Sequence, residues 1–132
     1  MNAKLYFTVA AILAVIYGIG FLVIPADLLV LYGTPAPDAR IILTAQYFGV
    51  ALLGLGLTVW FVRDCPDAAT VRGVLIGSAI GDVVGFVITG WGMMQGLLNA
   101  TAWSSLVIYG ALALGAIYLL LAAPQRLTTA SG

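Results

Sequence analysis

The sequence predicts an all-α integral membrane protein, an up-down bundle of four transmembrane helices with both termini in the cytoplasm. Of the 132 residues, 63% are hydrophobic and 8% are charged, whereas soluble domains carry roughly 25% charged residues. A soluble domain of this length keeps much of its surface in water and has no place for so many apolar side chains. The excess must therefore face lipid or another protein.

Four apolar stretches are each long enough to cross the bilayer, which takes about 20 residues as a helix. They cover residues 5–24, 41–62, 73–94 and 103–122. We expect a single transmembrane domain over residues 1–132, with a disordered tail at 123–132. The first stretch has the position of a signal peptide, but its apolar run is too long and no small-residue cleavage site follows it.

Short connectors carry the signals that end one helix and begin the next. Pro25, followed by Gly33, predicts a short helix with proline at its first position and glycine past its end. Polar residues that can cap a helix precede each of the later spans. The expected N-caps of these three spans are Asp38, then Asp64 or Cys65, then Asn99 or Thr101.

The orientation follows from the basic residues of the connectors, which concentrate on the cytoplasmic side of membrane proteins. The N-terminus, the connector between the second and third spans, and the C-terminus share one side of the predicted bundle. Four of the five basic residues lie on that side and one on the other: Lys4, Arg63, Arg72 and Arg126 against Arg40. This bias predicts that both termini lie in the cytoplasm.

Several kinds of chemistry have no suitable residues in this chain. There is no histidine and no glutamate, so the commonest general base and transition-metal ligand are missing. The one cysteine, Cys65, has no second cysteine to form a metal clamp or a disulfide. No basic patch points to nucleic acid as a partner. We accordingly predict no catalytic residue, no metal and no cofactor.

A row of glycines in the third span predicts close packing against another helix. Gly73, Gly77, Gly81 and Gly85 follow one another at intervals of four residues, which places them on one face of a helix. Because lipid is as apolar as leucine, helices in membranes associate where small residues allow close approach. We interpret the row as holding the bundle together; the alternative is an interface for self-association or for another membrane subunit.

Asp82 is the one ionisable residue deep within a span, where a charge costs about 2.5–3.5 kcal/mol. Ser78 and Thr89 share its helix face, so this face should point into the bundle. No lysine or arginine lies in any span, and we expect Asp82 to be neutral or hydrogen-bonded to hydroxyl groups. The candidates for binding a ligand or proton are Asp82, Tyr17, Tyr109, Gln46, Ser78 and Thr89.

The chain as a whole resembles small bacterial four-helix membrane proteins of unknown function, which are loosely DoxX-like. The resemblance rests on residues in the second, third and fourth spans and in the connectors. They are Pro25, Leu31 to Gly33, Arg40, Gly49, Gly54, Gly81 with Asp82, Trp91, Asn99 and Trp103. It implies a four-helix fold in the cytoplasmic (inner) membrane of a bacterium and, through the wider group, a link to quinone-coupled oxidoreductase complexes. The first helix here lacks the arginine that DoxX proteins often carry.

Three classes of function remain open on these residues. The glycine row and the lack of catalytic side chains favour a non-catalytic helix-packing protein, a small subunit or assembly partner of a larger membrane complex. The first alternative is a small transporter or binder of an apolar ligand, lipid or quinone that uses Asp82. The second alternative is a membrane enzyme acting on a lipid or quinone, which would depend on Asp82 and tyrosines.

Overall fold

The computed structural model describes the backbone of residues 2–126 and the side chains of residues 2–122, and this part of the chain forms five α-helices. Four of them, all but α2, are long and apolar enough to cross a membrane. The predicted all-helical fold with four membrane-length helices is therefore confirmed. The helices are α1 (Ala3–Val23), α2 (Pro25–Leu31), α3 (Ala39–Val62), α4 (Ala68–Met94) and α5 (Ala102–Arg126).

The predicted tail at 123–132 falls largely outside the described residues. Helix α5 continues to Arg126, so the first four residues of that segment have helical backbone. Residues 127–132 lie outside the part of the chain that the structure describes.

The N-caps agree with the sequence for α3 and differ for α4. Oδ1 of Asp38 accepts hydrogen bonds from the backbone N–H groups of Arg40 and Ile41, at 2.8 and 2.9 Å. Helix α4 is capped by Asp67, whose carboxylate accepts from Thr70 N at 2.8 Å, and the prediction of Asp64 or Cys65 was wrong. The reason is Pro66, which disfavours helical backbone at the residue before it and so delays the start of the helix.

The short helix predicted after Pro25 is confirmed as α2. Proline occupies its first turn, and the chain leaves it through Gly33 at a φ of 102°, a left-handed conformation that favours glycine. Asn99, in the connector between α4 and α5, lies against this turn. Its Nδ2 donates to the backbone oxygen of Leu31 at 2.9 Å, and its Oδ1 accepts from Thr101 N at 3.1 Å. One side chain therefore ties two connectors together.

The start of α1 is tied in a similar way to the connector between α3 and α4. Lys4 Nζ lies 2.6 Å from Oδ1 of Asp64, and Arg63 Nε lies 3.2 Å from Oδ2 of the same carboxylate. The guanidinium of Arg63 also stacks over the ring of Trp60 at 3.4 Å. Both carboxylate oxygens of Asp64 thus have a cationic partner.

The long helices pack mainly as two pairs, α1 with α3 and α4 with α5, and the contact between the pairs is smaller. Glycines bring α1 and α3 together. A β-carbon on Gly18 would lie 2.8 Å from the backbone nitrogen of Leu53, and one on Gly49 would lie 2.8 Å from the backbone oxygen of Gly18. A β-carbon on Gly56 would approach Val15 Cγ2 to 2.8 Å. The α1–α3 crossing thus requires residues without side chains.

Three of the four glycines in the α4 row have no packing neighbour among the described residues. A β-carbon on Gly73, Gly77 or Gly81 would meet no atom within 4 Å. Only Gly85 lies against a neighbour, because a β-carbon there would come to 2.7 Å from the ring of Tyr109 on α5. The interpretation that the whole row holds the bundle together was wrong. A four-residue repeat shows that the glycines share one face of the helix, but it does not show which helix packs against that face.

The side chains of α1, α3, α4 and α5 meet in one apolar cluster. Phe7 is its one large, fully buried side chain, and Tyr6 beside it is 3% exposed. The two rings contact edge to face, with 5.6 Å between their centroids. Most other members are alanine or valine, so few large side chains fill the contact between the two helix pairs. The cluster consists of Tyr6, Phe7, Ala11, Val59, Leu75, Ala79, Ala116 and Leu119.

Candidate functional site

The predicted site is built around Asp82, which lies half-buried on α4 and is bound by Tyr6 of α1. The Tyr6 hydroxyl donates a hydrogen bond to Oδ2 of Asp82 at 3.3 Å. Ser78, one helical turn earlier on α4, lies close to the same hydroxyl. The Asp82 face therefore does point towards another helix of the bundle, and its carboxyl group is paired with a phenol.

Of the remaining predicted residues, Tyr109 lies nearest to this pair. Its ring packs against Gly85, which follows Asp82 by three residues on α4, and the side chain is half-buried. Thr89 is also half-buried on α4, but no hydrogen bond joins it to Asp82 among the described side chains. The site therefore brings together Asp82, Tyr6, Ser78 and Tyr109, from three helices.

Tyr17 belongs to a different cluster of hydroxyl groups, which is centred on Tyr32 at the end of α2. The Tyr32 hydroxyl lies 3.4 Å from that of Tyr17, 3.4 Å from Ser104 Oγ and 3.1 Å from Ser105 Oγ. These four side chains connect α1 and α2 to the start of α5. No hydrogen bond joins Tyr17 to Asp82 among the described residues, and Tyr32 was not among the predicted site residues.

Gln46 connects α1 to α3 and lies apart from both clusters. Its Nε2 donates to the backbone oxygen of Leu22 at 3.4 Å. It is half-buried, and its partner is the last turn of α1, close to the Gly18–Gly49 crossing. This contact ties one helix to another and gives Gln46 no part in the arrangement around Asp82.

Tyr6 is the main residue of the site that sequence reasoning missed. The tyrosines that were predicted for the site, Tyr17 and Tyr109, both lie nearer the middle of their helices than Tyr6 does. The start of α1 lies beside the connector that precedes α4, as the Lys4–Asp64 pair shows. The Tyr6–Asp82 hydrogen bond sets the middle of α4 level with the first turns of α1, and the sequence gives no sign of this offset between the two helices.

An apolar groove of about 340 Å³ runs between α1 and α5, and Tyr6 forms part of its wall. The groove volume is at the lower end of the range for ligand pockets, roughly 300–1,000 Å³. Tyr6 thus borders the groove while its hydroxyl is hydrogen-bonded to Asp82. The groove is lined by Leu5, Tyr6, Val9, Leu13, Val107, Ile108, Ala111, Leu112 and Gly115.

The groups of this arrangement can form hydrogen bonds and bind a proton. A carboxyl group paired with a phenol can hold a proton, and it can exchange one hydrogen-bond partner for another. Across residues 2–122 no group of three cysteine or acidic side chains is placed to hold a metal ion.

Comparison with protein-family models, with curated proteins and with solved structures gave no match to this chain.

Proposed function

We propose that this chain is a small integral membrane subunit that assembles with another membrane protein through the outward face of α4. The observation that carries the proposal is the open space in front of Gly73, Gly77 and Gly81. A partner helix can approach the backbone of α4 closely along this row. The partner is a transmembrane helix of another subunit or of a second copy of this chain.

The energetics of glycine in helices support an interface on this face. Each glycine in a helix interior costs about 1 kcal/mol relative to alanine. Around Gly73, Gly77 and Gly81 no contact with a described residue offsets this cost, whereas Gly18, Gly49 and Gly56 allow α1 and α3 to approach closely. In lipid, close approach of backbones is the main source of helix association. Contacts with a partner helix on this face of α4 would offset the cost of these glycines.

We also propose an up-down arrangement in the bacterial inner membrane with both termini in the cytoplasm. The Lys4–Asp64 pair and the Asn99–Leu31 hydrogen bond support it, because each joins segments that this topology places at the same end. The four-to-one distribution of basic residues favours cytoplasmic termini. A reporter that is active only in the periplasm, fused to the C-terminus, should stay inactive. Activity of that fusion would reverse the orientation.

The assembly proposal is tested by comparing Gly77→Leu with Gly54→Leu. Both glycines are exposed helix residues with no atom within 4 Å of an added β-carbon, but Gly54 lies on α3 outside the row. The protein is purified in a mild detergent, and the co-purifying proteins and the complex mass are measured by mass spectrometry. We expect Gly77→Leu to lose the partner or the second copy and Gly54→Leu to keep it. Equal behaviour of the two variants would refute an interface on the row.

A second candidate function is a binder or transporter of an apolar ligand, such as a lipid or quinone, that uses Asp82. The observation that favours it concerns Tyr6, which forms part of the wall of the α1–α5 groove and is at the same time hydrogen-bonded to Asp82. A ligand in the groove with one polar group could take over the bond between the two residues. The DoxX-like resemblance is compatible with this function as well as with the first.

Two replacements of Asp82 distinguish a role in binding a ligand or proton from a role as a hydrogen bond between helices. Asp82→Asn keeps the shape of the side chain but removes its ability to ionise, and Asp82→Leu also removes the hydrogen bond. If the residue binds a ligand or proton, Asp82→Asn should fold normally and lose the lipid or quinone found by extraction and mass spectrometry. If it is only a tie between helices, Asp82→Asn should match the wild type and only Asp82→Leu should be unstable.

A further inference from the structure

A second apolar groove lies towards the other end of α1, between α1, α2 and the first turns of α3. Its volume is about 440 Å³, and apolar side chains from all three helices form its walls. The rings of Phe21 and Phe48 contact edge to face in it, with 5.2 Å between their centroids. Ala45 is 6% exposed, and the remaining apolar walls are Leu29 and Ile41.

One cation borders this groove. Arg40 belongs to its lining, lies in the first turn of α3, and is exposed. Among the described side chains it forms no ion pair, in contrast to Lys4 and Arg63, which both hold Asp64. The nearby Asp38 uses its carboxylate to cap α3. The groove therefore combines an apolar surface with a guanidinium group that is free to bind an anion.

The position of the groove along the helices suits a lipid, which combines an apolar chain with a charged headgroup. Arg40 stands at the end of a membrane-length helix, where the headgroups of a bilayer lie, and the apolar walls continue from it into the span. Guanidinium groups recognise phosphate well because their donors form a planar fork. Basic pockets between transmembrane helices are known to hold anionic headgroups.

We propose that this groove binds an anionic phospholipid, with an acyl chain against Phe21 and Phe48 and the phosphate headgroup on Arg40. The site is separate from the α4 face and from Asp82, and it depends on neither of the functions proposed above. The lipid would fill the space between the short helix α2 and α3 and so hold α2 in place.

The experiment is native mass spectrometry of the full chain with phosphatidylglycerol and with phosphatidylcholine of the same acyl chains. One basic residue near the membrane surface contributes about 1 kcal/mol to binding anionic lipid, which corresponds to about a fivefold preference. We expect the wild type to prefer phosphatidylglycerol by about that factor, Arg40→Lys to keep part of the preference because it keeps the charge but not the planar fork, and Arg40→Gln to lose it. The matched control is Arg72→Gln, an exposed arginine on α4 that should leave the preference unchanged.

The apolar part of the site is tested by a second pair of variants. Thr44 and Thr58 are both exposed on α3, and each donates its hydroxyl to the backbone oxygen four residues earlier, but only Thr44 lines the groove. Thr44→Trp should fill the groove and weaken phosphatidylglycerol binding several-fold, whereas Thr58→Trp should not. Equal binding of both lipids by the wild type, an unchanged preference in Arg40→Gln, or equal effects of the two tryptophans would each overturn the proposal.

Discussion

The hydroxyl of Tyr6 donates to Oδ2 of Asp82 at 3.3 Å, and this hydrogen bond joins α1 to α4. It therefore crosses between the two helix pairs, where contact is otherwise small. A polar tie at this place fixes how one pair sits against the other. Its effect on stability can be measured separately from its effect on binding.

Replacement of Tyr6 by phenylalanine should destabilise the fold by a modest amount. Hydrogen bonds between membrane helices contribute about 0.6 kcal/mol on average and about 1.7 kcal/mol at most. We expect a loss within that range in the free energy of unfolding, measured by denaturant titration in detergent. Tyr118→Phe is the control, because Tyr118 is 49% exposed and its hydroxyl binds no described residue. An equal effect of both variants would mean that the Tyr6–Asp82 bond contributes nothing.

The α1–α3 crossing should be sensitive to a single methyl group at Gly56. Gly56→Ala places a β-carbon 2.8 Å from Val15 and 3.0 Å from its backbone nitrogen, so the two helices must move apart. Gly54→Ala, two residues away on the same helix, meets open space and gains about 1 kcal/mol of helix propensity. Thermal unfolding in detergent should show a lower midpoint for Gly56→Ala and an unchanged or higher one for Gly54→Ala. The opposite order would contradict this crossing.

Within a single chain, Leu75→Ala should be far more damaging than Gly81→Leu. Leu75 is 3% exposed in the central cluster, and removal of such a buried leucine costs about 2–5 kcal/mol. Gly81 faces open space, so a leucine there meets only lipid or detergent. The measurement is unfolding at high detergent-to-protein ratio, where the chain is monomeric. Strong destabilisation by Gly81→Leu under these conditions would place another helix of the same chain over the row.

The Lys4–Asp64 pair gives stability a dependence on pH that can be assigned to one residue. The ammonium of Lys4, followed by the guanidinium of Arg63, lowers the pKa of the Asp64 carboxyl below its ordinary value of 3.8. Because the folded state has the lower pKa, the pair stabilises the fold above about pH 4 and is lost as the pH falls further. The effect is small, since Asp64 is fully exposed to solvent and salt.

The measurement for this pair is the unfolding midpoint at pH 6 and pH 3 in a non-ionic detergent. Asp64→Asn should remove part of the decrease between the two values, and 1 M salt should do the same to the wild type because it screens exposed charges. A wild type and an Asp64→Asn variant with identical pH dependence would show that the contact between Lys4 and Asp64 has no energetic role.

The features predictable from the sequence are those that depend on hydropathy or on a few neighbouring residues. Four spans follow from apolar length, α2 from Pro25 and Gly33, and the start of α3 from Asp38. Each of these signals acts over one helix turn or along a single helix. They need no knowledge of which helix lies next to which.

The features that could not be predicted depend on how helices are paired and turned. In a membrane, residues that face lipid and residues that face protein are equally apolar. The glycine row from Gly73 to Gly85 therefore marks one face of α4 but does not show which helix, if any, packs against that face. The crossing at Gly18 and Gly49 joins glycines of two helices, and the small-residue spacing of Ala10, Ala14 and Gly18 does not show which helix lies opposite. Tyr6 likewise meets Asp82 only because of the relative position of two helices that are distant in sequence.

The division into two helix pairs bears on the order in which the molecule is made. Synthesis proceeds from the N-terminus, so α1 and α3 leave the ribosome before α4 and α5. Since α1 packs mainly on α3, the first half of the chain can complete its own crossing while the second half is still being translated. The Lys4–Asp64 pair lies within that first half, whereas the Tyr6–Asp82 bond requires both halves. The order of synthesis thus allows the α1–α3 crossing to form first and the Tyr6–Asp82 hydrogen bond to form last.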